Sequence, residues 1–188
     1  MNGLMTKKVI AATFKELLKE KTINKITIGD IAERCGINRQ TFYYHFQDII
    51  DLVEWICLED ADNALKNKNT YATWQEGFIA IFELIREDKI FINNIYKSVS
   101  LETLMNYLYK LVYPIIYDVV DERSKQYVTT EENKKFITNF YEYSFVAVVL
   151  DWVKNDMKGD PTAIVTKISF LVDGTIDKAI KNMNNYKQ

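Results

Sequence analysis

The chain has 188 residues, 48% of them hydrophobic and 27% charged, with a formal net charge of −2. This composition fits one sizeable globular domain, or a small domain fused to a larger one, and excludes a disordered or fibrous chain. Two prolines and six glycines leave little room for turn-rich β structure, and the longest apolar run, Phe145 to Leu150, falls well short of the roughly 18 residues of a membrane span.

The charge is unevenly placed. Residues 1–46 carry eight basic side chains against four acidic ones, while the remainder carries 16 basic against 22 acidic. A basic head on an acidic body is expected where the head faces nucleic acid. The segment Met1 to Lys8 has no apolar stretch resembling a signal peptide, so a cytoplasmic location without a membrane partner is expected. Cys35 and Cys57 stand alone on different predicted helices. They make no metal-binding or redox pair, and two buried thiols suit a reducing compartment.

Hydrophobic spacing predicts an all-α chain of about nine helices. The first runs from Thr6 to Lys21 with Ile10, Phe14, Leu17 and Leu18 on one face. After a turn at Thr22 to Ile26, the second starts at Thr27, a good N-cap, with Asp30 placed where negative charge favours a helix start. It ends at Cys35 and Gly36, glycine being the residue that makes a left-handed turn without strain. Asn38 caps a third helix, Arg39 to His45. A fourth begins at Asp48, turns Ile50, Val53, Ile56 and Cys57 inward, and fades into a polar loop over residues 66–70.

A fifth helix opens on a capping box, Thr73-Trp74-Gln75-Glu76, and buries Phe78, Ile81, Phe82 and Ile85. A sixth spans Lys89 to Lys97. The seventh, Leu101 to Val120, contains Pro114, which removes a backbone donor and should kink it. The eighth runs from Glu131 to Lys158, with Gly159 as its C-cap. Asp160 and Pro161 open the ninth, whose stripe is Ile164, Ile168, Leu171, Val172, Ile176 and Ile180.

Function concentrates in residues 27–46, two short helices joined by a glycine turn. Ile28, Ile31, Ala32, Ile37, Phe42 and Phe46 form its inside. Arg39, Gln40, Thr41, Tyr43, Tyr44 and His45 crowd two turns of the outside. An ordinary solvated helix face carries Lys and Glu; this one carries groups that bond base edges and phosphates. Arg suits guanine and Gln suits adenine in the major groove, whereas Thr, Tyr and His are typical phosphate contacts. The expected DNA-binding residues are Thr27, Asn38, Arg39, Gln40, Thr41, Tyr43, Tyr44 and His45. Arg39 and Gln40 are expected at base edges, Tyr43 and His45 at the backbone, and Tyr44 at either.

This segment resembles the helix-turn-helix of TetR-family regulators. Thr27, Asp30-Ile31-Ala32, Gly36 and the run Asn38 to Phe46 occupy the places of the family's threonine cap, Asp-Ile-Ala core, glycine turn and recognition helix. The resemblance covers roughly residues 6–60. Two positions depart from the pattern: Gly29 replaces a common arginine or other polar residue, and Ile49 replaces a lysine that usually contacts phosphate. Residues 143–164 further resemble the C-terminal region of a subgroup similar to the dihydroxyacetone-kinase operon regulator.

The resemblance implies a helix-turn-helix domain at 1–50 and a helical dimerisation and effector domain at 51–188. It further implies a homodimer on palindromic double-stranded operator DNA, paired through the last two long helices. Phe78, Phe82, Phe91, Tyr96, Tyr107, Tyr113, Tyr117 and Tyr141 are the candidates for an effector pocket, although aromatics at helical spacing are more often core. The main expectation is a repressor released by a small apolar ligand; the alternative is an activator or repressor controlled by a protein co-regulator. The only histidine lies in the recognition helix, and there is no P-loop, nucleophile elbow, HExxH or CxxC, so no enzymatic activity, cofactor or metal is expected. A helical interaction module that never meets DNA is the remote alternative, and it would have no use for the exposed row on the third helix.

Overall fold

The computed structural model describes residues 3–65 and 70–185; residues 66–69, expected as a loop, lie outside the described residues. Among the described residues there are ten α-helices, one short 3-10 turn and no strand, which makes the chain all-α as expected. It divides into two compact units, Met1–Asp60 with Asp88–Leu104, and Ala61–Glu87 with Met105–Gln188.

The first unit holds α1 (Gly3–Glu20), α2 (Ile28–Cys35), α3 (Arg39–His45), most of α4 (Ile49–Leu65) and α6 (Lys89–Ser98). The stripe read for the first helix is the one it buries: Ile10, Phe14, Leu17 and Leu18 are all inside. α1 packs against α2, α3 and α6, and Phe14 meets Phe91 of α6 edge-on at 6.4 Å. Burying a side chain of that size contributes roughly 1.5–3 kcal/mol, and Ile31 and Phe42 are buried as completely as Phe14. Lys15 bridges the carboxylates of Asp60 and Asp88 at 2.7 and 2.8 Å. Burial works against its ammonium, but the two acids outweigh it and raise the pKa above the ordinary lysine value.

The second unit holds α5 (Trp74–Glu87), most of α7 (Leu101–Ser124), α8 (Glu131–Lys154), α9 (Pro161–Val172) and α10 (Thr175–Asn185). α5 packs on α9 and α8 on α10. Their core is aromatic: Phe78 stacks on Phe145 at 3.5 Å, and Phe82 lies edge-on to both Phe145 and Trp152. Arg123 on α7 pairs with Asp177 on α10 and lies over the Tyr71 ring.

Several helix ends differ from expectation: α1 starts at Gly3, three residues before Thr6, and α7 runs on to Ser124, four residues past Val120. α8 stops at Lys154, not Lys158, because Asp156 and Met157 both take left-handed backbone, with φ of 59°. The Met157 amide bonds back to the Trp152 carbonyl at 2.9 Å and its side chain is buried, so tertiary packing compensates a conformation that L residues avoid. The expected ninth helix is two helices. Gly174, at φ 69°, ends the run after Val172, and Ile176 and Ile180 are buried from a separate α10. The start is as read: Asp160 accepts from the Ala163 amide at 2.9 Å and Pro161 fills the first helical position.

Candidate DNA interface and effector cavity

α2 begins with a reciprocal cap. Thr27 Oγ1 accepts from the Asp30 amide at 3.1 Å, and Asp30 Oδ2 accepts from the Thr27 amide at 2.7 Å. That backbone bond, then Lys21 and the Thr27 hydroxyl, hold the Asp30 carboxyl down at a pKa of about 2. Gly36 then turns the chain at φ 67°, ψ 31°. Asn38 Oδ1 caps α3 by accepting from the Thr41 amide at 2.7 Å and the Thr41 hydroxyl at 3.0 Å. Thr27, Asn38 and Thr41, all expected at DNA, therefore spend much of their hydrogen-bonding capacity on building the two helices.

The rest of the expected set is differently disposed. Successive residues of a helix turn by about 100°. Phe42 and Phe46 face inward and are buried, and Ile28 and Ile37 are only half-buried at the rim. Gln40 and Tyr44 lie on the side of α3 opposite the two phenylalanines, and Tyr44 is 84% exposed. Arg39 and Tyr43 share one flank; Thr41 and His45 share the other and are half-buried. Tyr43 sets its ring edge-on to Phe42, and His45 meets Tyr44 edge-on at 4.9 Å. Among the described residues, Arg39, Gln40 and the hydroxyls of Tyr43 and Tyr44 have no protein hydrogen-bond partner, which leaves their donors free.

The basic excess of the head is largely tied up. Lys8, Lys15, Lys19, Lys21 and Arg34 each face a carboxylate. Lys7 lies over the rings of Phe46 and Trp55 at 5.1 and 5.5 Å. Lys25 and Arg39 remain, among the described residues, without an acidic or aromatic partner, and of these only Arg39 is on α3. The guanidinium of Arg39 rests on Gly29 of α2. Nothing in the sequence signals that contact except the glycine itself.

The second unit contains a cavity of 380 Å³ bounded by α5, α7, α8, α9 and α10. Of the aromatic candidates, Phe78 and Tyr141 line it. Phe82 and Tyr107 are buried in this unit outside the cavity wall, and Tyr113 and Tyr117 stack on each other along α7 at 5.8 Å. Phe91 and Tyr96 are on α6, in the first unit. The wall also takes Trp74 and the aliphatic residues Ile168, Leu171 and Val172, which aromatic spacing alone does not reveal. One corner is polar: Thr175 Oγ1 donates to the Val172 carbonyl, so Tyr141 donates its hydroxyl to Thr175 at 2.7 Å. Its rim residues Phe140 and Leu171 belong to an exposed apolar surface on α8 and α9 that includes Phe136, Tyr143 and Phe170. The i, i+4, i+7 spacing of Phe136, Phe140 and Tyr143 is legible in the sequence as a second stripe on that helix. Cys35 is a half-buried free thiol, and burial pushes the Cys57 thiol up to about 12. No group of three or more metal-ligating side chains occurs among the described residues.

Residues 10–56 match the family model described as bacterial regulatory proteins, tetR family, and residues 72–174 match the transcriptional regulator C-terminal region. The dhaKLM operon transcriptional activator DhaS of Lactococcus lactis is 27% identical over 149 residues, 78% of either chain. A solved structure of a dihydroxyacetone kinase operon activator DhaS superposes with a TM-score of 0.71 at 22% identity, covering 93% of this chain and 97% of that one. The TetR-family repressor AlkX of Dietzia sp. superposes at 0.53 with 12% identity, over 92% and 98% of the two chains. With its two-helix DNA head and its regulatory C-terminal region both matched, the chain belongs to the TetR family of DNA-binding transcription regulators.

Proposed function

We propose that the chain works in the cytoplasm as a homodimer on a palindromic operator, and that a small apolar molecule in the α5–α10 cavity releases it from DNA. The observation that carries this reading is the cavity, whose wall is apolar except for the Ser144 hydroxyl, which donates to the Phe140 carbonyl, and the Tyr141–Thr175 corner. A ligand that fits is largely hydrocarbon with one polar group able to donate to the Tyr141 oxygen. The dimer is supported by the exposed apolar side chains on α8 and α9, among which Phe170 and Leu171 are 77% and 76% exposed. Two heads related by a two-fold axis then read half-sites about one DNA turn, roughly 34 Å, or somewhat more apart.

The test is a gel shift on a duplex selected by the wild-type chain from a randomised library, with and without an apolar naphthylamine dye. The dye should quench Trp74 fluorescence and lower duplex occupancy over the same concentration range. Quenching without release would sink the effector reading.

A second reading is favoured by the relative named as an operon activator, 27% identical over 78% of this chain. In it the chain activates transcription under control of a protein co-regulator, not a small molecule. The dye then leaves the DNA complex intact, and a promoter fusion rises when the chain is expressed.

A further inference from the structure

Arg39 is the first residue of α3, yet its side chain does not run outward with Gln40 and Tyr44. A Cβ built on Gly29 would lie 2.6 Å from Arg39 Nη2, 3.3 Å from Cζ and 3.4 Å from Nε, so the guanidinium comes against the glycine in the first turn of α2 with Nη2 leading. Among the described residues no carboxylate holds it there: Asp30 is engaged by Thr27 and Lys21, and the guanidinium keeps its donors free. A Cβ at this position would push the guanidinium aside, a small move for the end of a flexible side chain, and glycine is what lets it settle here.

In a helix-turn-helix the second helix enters the major groove while the first crosses the phosphate backbone. A guanidinium laid over the first turn of α2 therefore sits with the element that meets phosphate, on the flank it shares with Tyr43, and away from the outermost row that meets base edges. We propose that Gly29 is a positioning residue for Arg39, and that it converts Arg39 from a base reader into a phosphate anchor. Gln40 and Tyr44 are then left to contact bases. The missing side chain at position 29 is thus a gain of a placed cation, not a lost contact. The inference rests on the DNA-binding reading of α2 and α3.

The experiment compares wild type, Gly29→Ala, Arg39→Ala and the double variant on the randomised duplex library, at fixed salt and then across a salt series. Arg39→Ala should weaken all sequences about equally, by about tenfold, and reduce the salt slope by about one. Gly29→Ala should give a uniform loss of about threefold to fivefold, although alanine favours helix and should keep or raise Tm. The double variant should bind like Arg39→Ala alone, since the glycine matters only through the arginine. A change of preferred base at one position in Arg39→Ala would overturn the inference, as would losses that simply add. Failure of the wild type to enrich any duplex would overturn the DNA-binding reading itself, an outcome readily told apart from the other two.

Discussion

Glu142 on α8 is a carboxyl with only 4% of its surface exposed, close to Tyr109 and Tyr113, and without a hydrogen bond among the described residues. Loss of solvent raises its pKa to about 7. The folded chain holds this proton more tightly than the unfolded chain does, so the stability it contributes is complete below about pH 4 and is lost as pH rises through 7. Glu142→Gln should therefore raise Tm at pH 8, by an amount worth about 1 kcal/mol, and change little at pH 4. Thermal melts at the two pH values check this; equal shifts at both would refute the assignment. At the recognition helix, Gln40→Ala should cost about 1–3 kcal/mol and relax preference at one base pair. Tyr43→Phe, on the flank with Arg39, should weaken every sequence alike.

Helix ends in the head are set by local chemistry, and their removal should cost accordingly. Thr27→Ala deletes half of a reciprocal cap and should lose about 1 kcal/mol of stability. The depressed Asp30 carboxyl adds stability at pH values above its ordinary pKa, and that contribution is lost as pH falls through about 2. An Asp30→Asn chain should show a flatter acid limb by circular dichroism. Gly36 stands at φ 67° with nothing within 4 Å of a built Cβ, so Gly36→Ala meets backbone strain alone. That strain is about 1–2 kcal/mol; urea melts should show it as a lower midpoint with an unchanged slope.

At the scale of the whole molecule, the proposed dimer would pair through the apolar surface on α8 and α9. Phe136→Glu and Phe170→Glu lie outside the cavity wall, so each should leave the fold and the cavity intact while placing a charge on the surface proposed for the second copy. Light scattering should show a monomer, and binding to a two-half-site duplex should fall by about 100-fold or more as two-headed contact is lost. Binding to a single half-site should be unchanged. A dimer that survives both substitutions would place the interface elsewhere.

The head was readable because its determinants are local. Thr27, Asp30, Gly36 and Asn38 act on residues two to four positions away, so cap, turn and cap could be read from spacing, and the bounds of α3 agree with the reading to the residue. The all-α class followed from the same short-range periodicity. The ends of α8 and α9 were harder because Asp156 and Met157 hold left-handed backbone only through the burial of Met157, which no local signal reports. The cavity depended on five helices meeting, so aromatic spacing found Phe78 and Tyr141 but not Ile168 or Leu171. The seat of Arg39 on Gly29 joins residues on two helices, and only folding brings a free guanidinium onto a bare backbone. Local hydrogen bonding is written along the chain; packing between distant segments exists only once the chain has folded.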